Sequence, residues 1–298
     1  MRKFSSLSRE LENKNSPIYS YARDNFPNTA ALARLYKKQA AELLVPTIMP
    51  IDSSRSSIVG DAFDLVARFM ANTKYYPEQA LSPIIGHNLL EHGEDAAYAL
   101  DEIGLNPNEE LPPTAAAICW FLALTTQAYR TGGIIIDSPL APFIDDCEPE
   151  EILALAAAED IEELQRLHKI AQKALYPLFT DFDKDSIILG PEFSGSEFCK
   201  ADADIIADGT LIEIKTRIGR KDKNAVYADA LRPEDTRAVL GYILFDLEDE
   251  YQLKDVAFYS ARYGTVFQIS VVEFLEVLAG QPVNLAEARA DIRRILEH

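Results

Sequence analysis

Residues 201–216, ADADIIADGTLIEIKT, restrict the fold more than any other stretch of the chain. Two apolar runs, Ile205-Ile206-Ala207 and Leu211-Ile212, flank Asp208-Gly209, a dipeptide suited to the positive φ angles of a tight hairpin turn. The spacing predicts an antiparallel hairpin in which Ala207 faces Thr210, Ile206 faces Leu211, Asp204 faces Glu213 and Asp202 faces Lys215. Side chains alternate across a strand, so those four polar groups share one face, and Ala203, Ile205, Ala207, Ile212 and Ile214 form an apolar face opposite. Asp204 against Glu213 sets like charges opposite each other, which weakens a sheet unless a cation lies between them. A hard divalent ion, Mg²⁺ or Mn²⁺, prefers carboxylate oxygens and keeps several waters, one of which can attack phosphorus. On this reading Asp204 and Glu213 hold the ion, while Lys215 orients or deprotonates the water or stabilises charge on the phosphate. The chemistry that suits such a cluster is phosphodiester hydrolysis.

Beyond the hairpin, Arg232-Pro233 opens a helix in which Ala238, Leu240, Tyr242, Ile243 and Phe245 give wide apolar coverage, and strand-like runs follow at 256–261 and 266–270. A short β run, 186–189, lies upstream. Asp204 followed by Glu213-Ile214-Lys215 resembles the signature of the PD-(D/E)xK nuclease superfamily, and strand, hairpin, helix, strand is the order of that superfamily's core. RAVLGYILFD resembles the helix that many RecB-like members mark with Gln-x-x-x-Tyr, with Ala238 standing where the Gln falls. KADADII, LIEIKT, GDAFDLVARF and GYILFD are similar to the GADADLI, LIDIKT, GTAFDYLLRF and GYxLLD segments of a set of bacterial proteins without a settled substrate, and that likeness runs from SPIYSYARDNFPN to the final strands.

The resemblance implies an α/β fold with a mixed sheet, D…ExK on its central hairpin, helices on its flanks, and a metal-dependent nuclease acting on DNA. Defence against phage, repair and mobile-element biology are all compatible with it. It also implies that an acidic residue on an early helix adds a carboxylate to the ion, here Asp64, with Asp61 as a weaker candidate; the plain alternative for Asp64 is an i,i+4 ion pair with Arg68. Two other classes stay open: a nucleic-acid-binding or assembly subunit that keeps the fold without cutting, and a nucleotide phosphodiesterase.

The chain divides into a mainly helical lobe, 1–183, which includes the helix 58–70, and a nuclease-like core, 184–298. Helical patterns are predicted at 29–44, at 58–70 with Ser57 as cap, and at 77–92, 94–103, 113–129, 148–158, 161–178, 271–278 and 285–296. Trp120 is expected in the core. Cys119, Cys147 and Cys199 lack any CxxC partner and the four histidines form no zinc pattern, so neither type suggests a metal site. No apolar run reaches the length of a membrane span and no apolar leader follows Met1, which makes a cytoplasmic protein the expectation.

The net charge of −19 argues against a polyanionic partner taken as a sum, yet it is unevenly spread: residues 51–183 hold 23 acidic and 7 basic side chains, whereas residues 1–50 hold 4 and 8. Directly after the hairpin, Lys215, Arg217, Arg220, Lys221 and Lys223 place five cations within nine residues. Arg217, Arg220, Lys221 and Lys223 are therefore the candidate nucleic-acid contacts, with Arg34, Lys37 and Lys38 as a second wall of a groove.

Overall fold

The computed structural model describes residues 4–40, 48–50, 53–180, 186–221 and 227–298. In chain order it forms α1 (Leu7–Glu12), α2 (Pro17–Asn25), α3 (Thr29–Ala40), α4 (Ser56–Ala71), α5 (His87–Ile103), α6 (Pro113–Thr131), α7 (Pro149–Leu153), α8 (Ala158–Ala174) and α9 (Tyr176–Thr180). The remaining elements are β1 (Ile187–Leu189), β2 (Ile205–Ala207), β3 (Thr210–Lys215), β4 (Arg220–Lys221), β5 (Tyr227–Ala228), α10 (Pro233–Phe245), β6 (Asp255–Ser260), β7 (Thr265–Ser270), α11 (Val271–Ala279) and α12 (Leu285–Glu297). Five strands make one mixed sheet in the order β1-β2-β3-β6-β7, so β3 is central. It pairs antiparallel with β2 and parallel with β6, and the crossover between β3 and β6 carries α10.

The hairpin register is the one that the turn dipeptide dictates. Asp208 (φ 46°) and Gly209 (φ 76°) both sit at positive φ, and Ala207 pairs with Thr210, Ile206 with Leu211 and Ile205 with Ile212. The expected division into one apolar and one polar face is corrected. Ile205, Ala207, Ile212 and Ile214 pack against α4, α6 and α8, but Ile206, Leu211 and also Ala203 are buried in a second core with α1–α3 and α10–α12. A parallel neighbour and helices on both faces bury both sides of this strand, and its charged groups, Glu213 and Lys215, lie in its C-terminal half. The alternation fails at Ala203 because β2 begins at Ile205: Asp204 sits in a bend, and Asp202 bridges to Glu192 rather than lying opposite Lys215. Helices from the first 183 residues lie on both faces, α1–α3 on one and α4, α6 and α8 on the other.

Four helical expectations shift, the first of them 148–158, of which only Pro149–Leu153 is helical before α8 starts at Ala158. Residues 77–86 turn through a 3₁₀ segment, Pro83–Ile85, and Gly86 at φ 93° starts α5, which then runs unbroken through Gly93. The run 161–178 breaks between Ala174 and Tyr176, just before Pro177, which cannot supply a helix-interior N–H. Ser57 lies inside α4, whose N-cap is Arg55. The end of the 29–44 pattern falls partly outside the described residues.

Two features bring α4 to the sheet. A Cβ at Gly60 would stand 2.7 Å from Thr216 Oγ1, so glycine permits this helix to approach the end of β3 closely. Below it, the fully buried Arg262 guanidinium donates to Glu163 of α8 at 2.5 Å and to the Thr216 carbonyl, which ties the helical layer to the same strand end. Losing one partner of such a pair leaves a buried charge uncompensated. Trp120 is buried in α6, with the Arg55 guanidinium 4.5 Å over its ring. No helix among the described residues is long and apolar enough to cross a membrane.

Candidate metal centre

The C-terminal end of β3 carries Glu213 and Lys215, and the bend before β2 carries Asp204, whose Oδ2 accepts the Ile214 backbone N–H at 2.7 Å. That hydrogen bond straps the aspartate across the hairpin, beside the two β3 side chains. Lys215 Nζ lies 2.5 Å from Glu213 Oε1. From α4, Arg68 places Nη2 2.8 Å from Asp64 Oδ2 and 3.8 Å from Asp204 Oδ1, while Nη1 donates to Tyr75 Oη at 3.0 Å. Asp64 thus forms the i,i+4 pair with Arg68, and the same guanidinium reaches Asp204. Asp61 is engaged elsewhere, by Arg130 at 2.8 Å and Gln127 Nε2 at 2.8 Å. Asp202 accepts from Gln79 Nε2 at 3.2 Å.

Burial dominates the electrostatics. It pushes the Glu213 carboxyl up to about 8, against the pull of Lys215, and the negative charge of Asp204 adds to the rise. Burial likewise pushes Asp64 up to about 7, opposed by Arg68 and reinforced by Asp204. Burial alone would lower the Lys215 ammonium, but Glu213 and Asp204 outweigh it and hold the amine above its ordinary range. Asp204 is the charge common to all three.

Among the described residues, no three His, Cys, Asp or Glu side chains are gathered into a metal-holding group, and Arg68 and Lys215 supply the positive charge between the carboxylates. Even so, Asp64 Oδ1 and Glu213 Oε2 are buried without any hydrogen-bond partner. These two carboxylate oxygens, one on Glu213 and one on Asp64, are the buried acceptors that a hard cation would satisfy. The consequence is measurable. Both carboxyls keep a proton in the folded chain over a pH range in which the unfolded chain, at ordinary values of 3.8 and 4.5, has released it. Unfolding then sheds protons, so stability without metal falls as pH rises from about 4 towards about 8. Mg²⁺ or Mn²⁺ should bind more tightly over the same rise and release protons at pH 7, read by calorimetry in two buffers of different ionisation enthalpy. Binding with no proton release would remove Glu213 and Asp64 from the ligand set.

The basic run after the hairpin is not a uniform cationic edge. Arg217, a candidate nucleic-acid contact, is held bidentately by Asp235: Nη1 donates at 2.6 Å and Nη2 bonds the other oxygen. Asp235 also accepts the Arg232 backbone N–H at 3.0 Å, so this guanidinium secures the N-terminus of α10. Arg220 and Lys221 lie in the two-stranded ribbon β4-β5, and Lys223 lies outside the described residues. Tyr75, Gln79 and Arg130 are residues of the site that sequence patterns do not single out. Arg68 is marked in the sequence by its spacing of four from Asp64. No family model, curated protein or solved structure matches the chain.

Proposed function

We propose that this protein is a metal-dependent nuclease of the PD-(D/E)xK type that hydrolyses phosphodiester bonds in DNA. The observation that carries the reading is the convergence of Asp204, Glu213 and Lys215 at the end of a central strand, with a buried Glu213 oxygen left without a partner. Mg²⁺ or Mn²⁺ would be held by Asp204 and Glu213, with Asp64 adding a carboxylate, and when bound supplies Lewis acidity toward a phosphoryl oxygen and an acidified water. Within the chain, Asp204 fixes the hairpin end through Ile214, Lys215 stands ready to orient a proton or meet developing negative charge, and Arg68 balances the two aspartates.

One specific observation favours a second reading, a nucleic-acid-binding or assembly subunit that does not cut. Lys215 and Arg68 already form close ion pairs with Glu213 and Asp64, which compensates two of the three carboxylates without an ion. The test is to incubate the full chain with single-stranded DNA, duplex DNA and RNA in Mg²⁺ and in Mn²⁺, and to measure binding against salt. DNA cleavage in either metal, abolished by chelator, is expected. Affinity for duplex should fall with a log–log slope of about −0.9 per phosphate neutralised, and replacing Arg220 and Lys221 with Ala should flatten that slope by about 1 for each phosphate those side chains neutralise. A steep slope without cleavage in any metal would leave the second reading.

A further inference from the structure

Next to Asp64 opens a cavity of about 180 Å³, bounded by α4, the turn at 77–86, α6 and the strand β1 with its continuation to Glu192. Its charged groups divide into two kinds. Arg130 is held by Asp61, and Arg68 by Asp64 and Tyr75. Glu192 and Asp202, set beside each other by an isolated antiparallel bridge, and Glu78 form no salt bridge among the described residues, and Asp202 takes the Gln79 amide. Arg68 is 8% exposed and lines the same cavity, and its Nε is buried without a partner. At the mouth the Tyr76 ring is 55% exposed.

The combination excludes a phosphate, which two adjacent unpaired carboxylates would repel. It calls for a flat group that presents N–H donors to a carboxylate and a face to an aromatic ring. Nucleobases have those properties once they are out of a base pair. Guanine matches best: its Watson–Crick edge runs acceptor, donor, donor, and the two adjacent donors fit the two oxygens of one carboxylate. Thymine offers a single donor between two acceptors and fits worst. We propose that this cavity receives an unpaired guanine of a single-stranded or extrahelical segment that flanks the scissile phosphate, with Asp202 and Glu192 reading the base and Tyr76 stacking on it. The proposal rests on the nuclease reading and makes guanine a specificity determinant for it.

The experiment uses the full chain in chelator, so that binding is read without cutting, and short fluorescent all-thymine DNA strands carrying one central guanine, adenine, cytosine or inosine. One guanine should tighten binding about 5- to 150-fold over all-thymine, the range for a good bidentate base contact. Inosine, which lacks the 2-amino donor, should lose most of that gain, a comparison made on the unaltered protein. Asp202→Asn with Glu192→Gln should bring the guanine strand to within about 2-fold of all-thymine. Equal affinity for all strands, or a guanine preference that survives the double substitution, would overturn the base pocket while leaving the nuclease reading untouched. Failure to bind any strand here, together with no cleavage in Mg²⁺ or Mn²⁺, would overturn both.

Discussion

Asp204→Asn and Glu213→Gln should each abolish DNA cleavage and remove the rise in melting temperature that Mg²⁺ or Mn²⁺ produces, without unfolding the metal-free chain. The two halves of that expectation come from different properties of the same residues. A neutral amide attracts a divalent ion far less than a carboxylate does, so loss of either ligand should exceed the roughly 10- to 100-fold affinity loss that follows removal of an outer-shell partner. In the metal-free fold burial raises the Glu213 carboxyl, so the site already tolerates a neutral group there more readily than an exposed position would. Glutamine keeps the shape of the acid and an oxygen that can face Lys215, so Glu213→Gln should leave the metal-free melting temperature close to the parent's. Asp204→Asn keeps an oxygen able to accept the Ile214 N–H, which preserves the hairpin strap. A ligand in excess that binds only the folded state stabilises it by about 2.7 kcal/mol at 100 times its Kd, a shift that thermal denaturation resolves easily. Retention of the metal-dependent shift in both variants would show that the ion, if bound, sits elsewhere.

The contrast between what the sequence discloses here and what it conceals follows from the range of the interactions. Asp208-Gly209 encodes its turn locally, so the register of β2 on β3, and with it the neighbourhood of Asp204 and Glu213, is legible from sixteen residues. The helix after Pro233 and the strands β6 and β7 are legible for the same reason, their periodicity and start signals being local. The placement of Asp202 is not, because alternation presumes that the strand continues upstream of Ile205, and a bridge to Glu192 interrupts it. Nor is the commitment of Arg217, whose partner Asp235 is eighteen residues away and whose role depends on how α10 docks against β3. The turn at 77–86 carries apolar residues at helical spacing yet ends at Gly86 in a positive-φ conformation, which composition alone does not announce. That turn is what opens the cavity beside Asp64, so the least legible segment is the one that shapes the polar recess next to the candidate centre.

Lys215→Ala should cut turnover by a factor on the order of 10² to 10⁴ while leaving DNA affinity within a few-fold of the parent, because the lysine acts on the reacting groups and contributes only one charge to binding. Its effect on metal affinity has two opposed parts. Removing Nζ from 2.5 Å takes a positive charge away from the ion's position, but it also removes the group that favours ionised Glu213, whose carboxyl should then rise further. At a pH high enough to ionise Glu213 in the variant the second part vanishes, and metal should bind the variant at least as tightly as the parent; near pH 7 it should bind more weakly. Lys215→Arg separates the lysine's two candidate tasks. Guanidinium retains the charge but does not release a proton in this range, so an arginine variant with substantial activity would assign the residue to charge stabilisation, and one as slow as alanine would assign it to orienting or deprotonating the water. Single-turnover cleavage at saturating metal measures all three proteins on one scale. An alanine variant that cuts as fast as the parent would remove Lys215 from the chemistry and reduce it to the counter-ion that the 2.5 Å contact with Glu213 by itself describes.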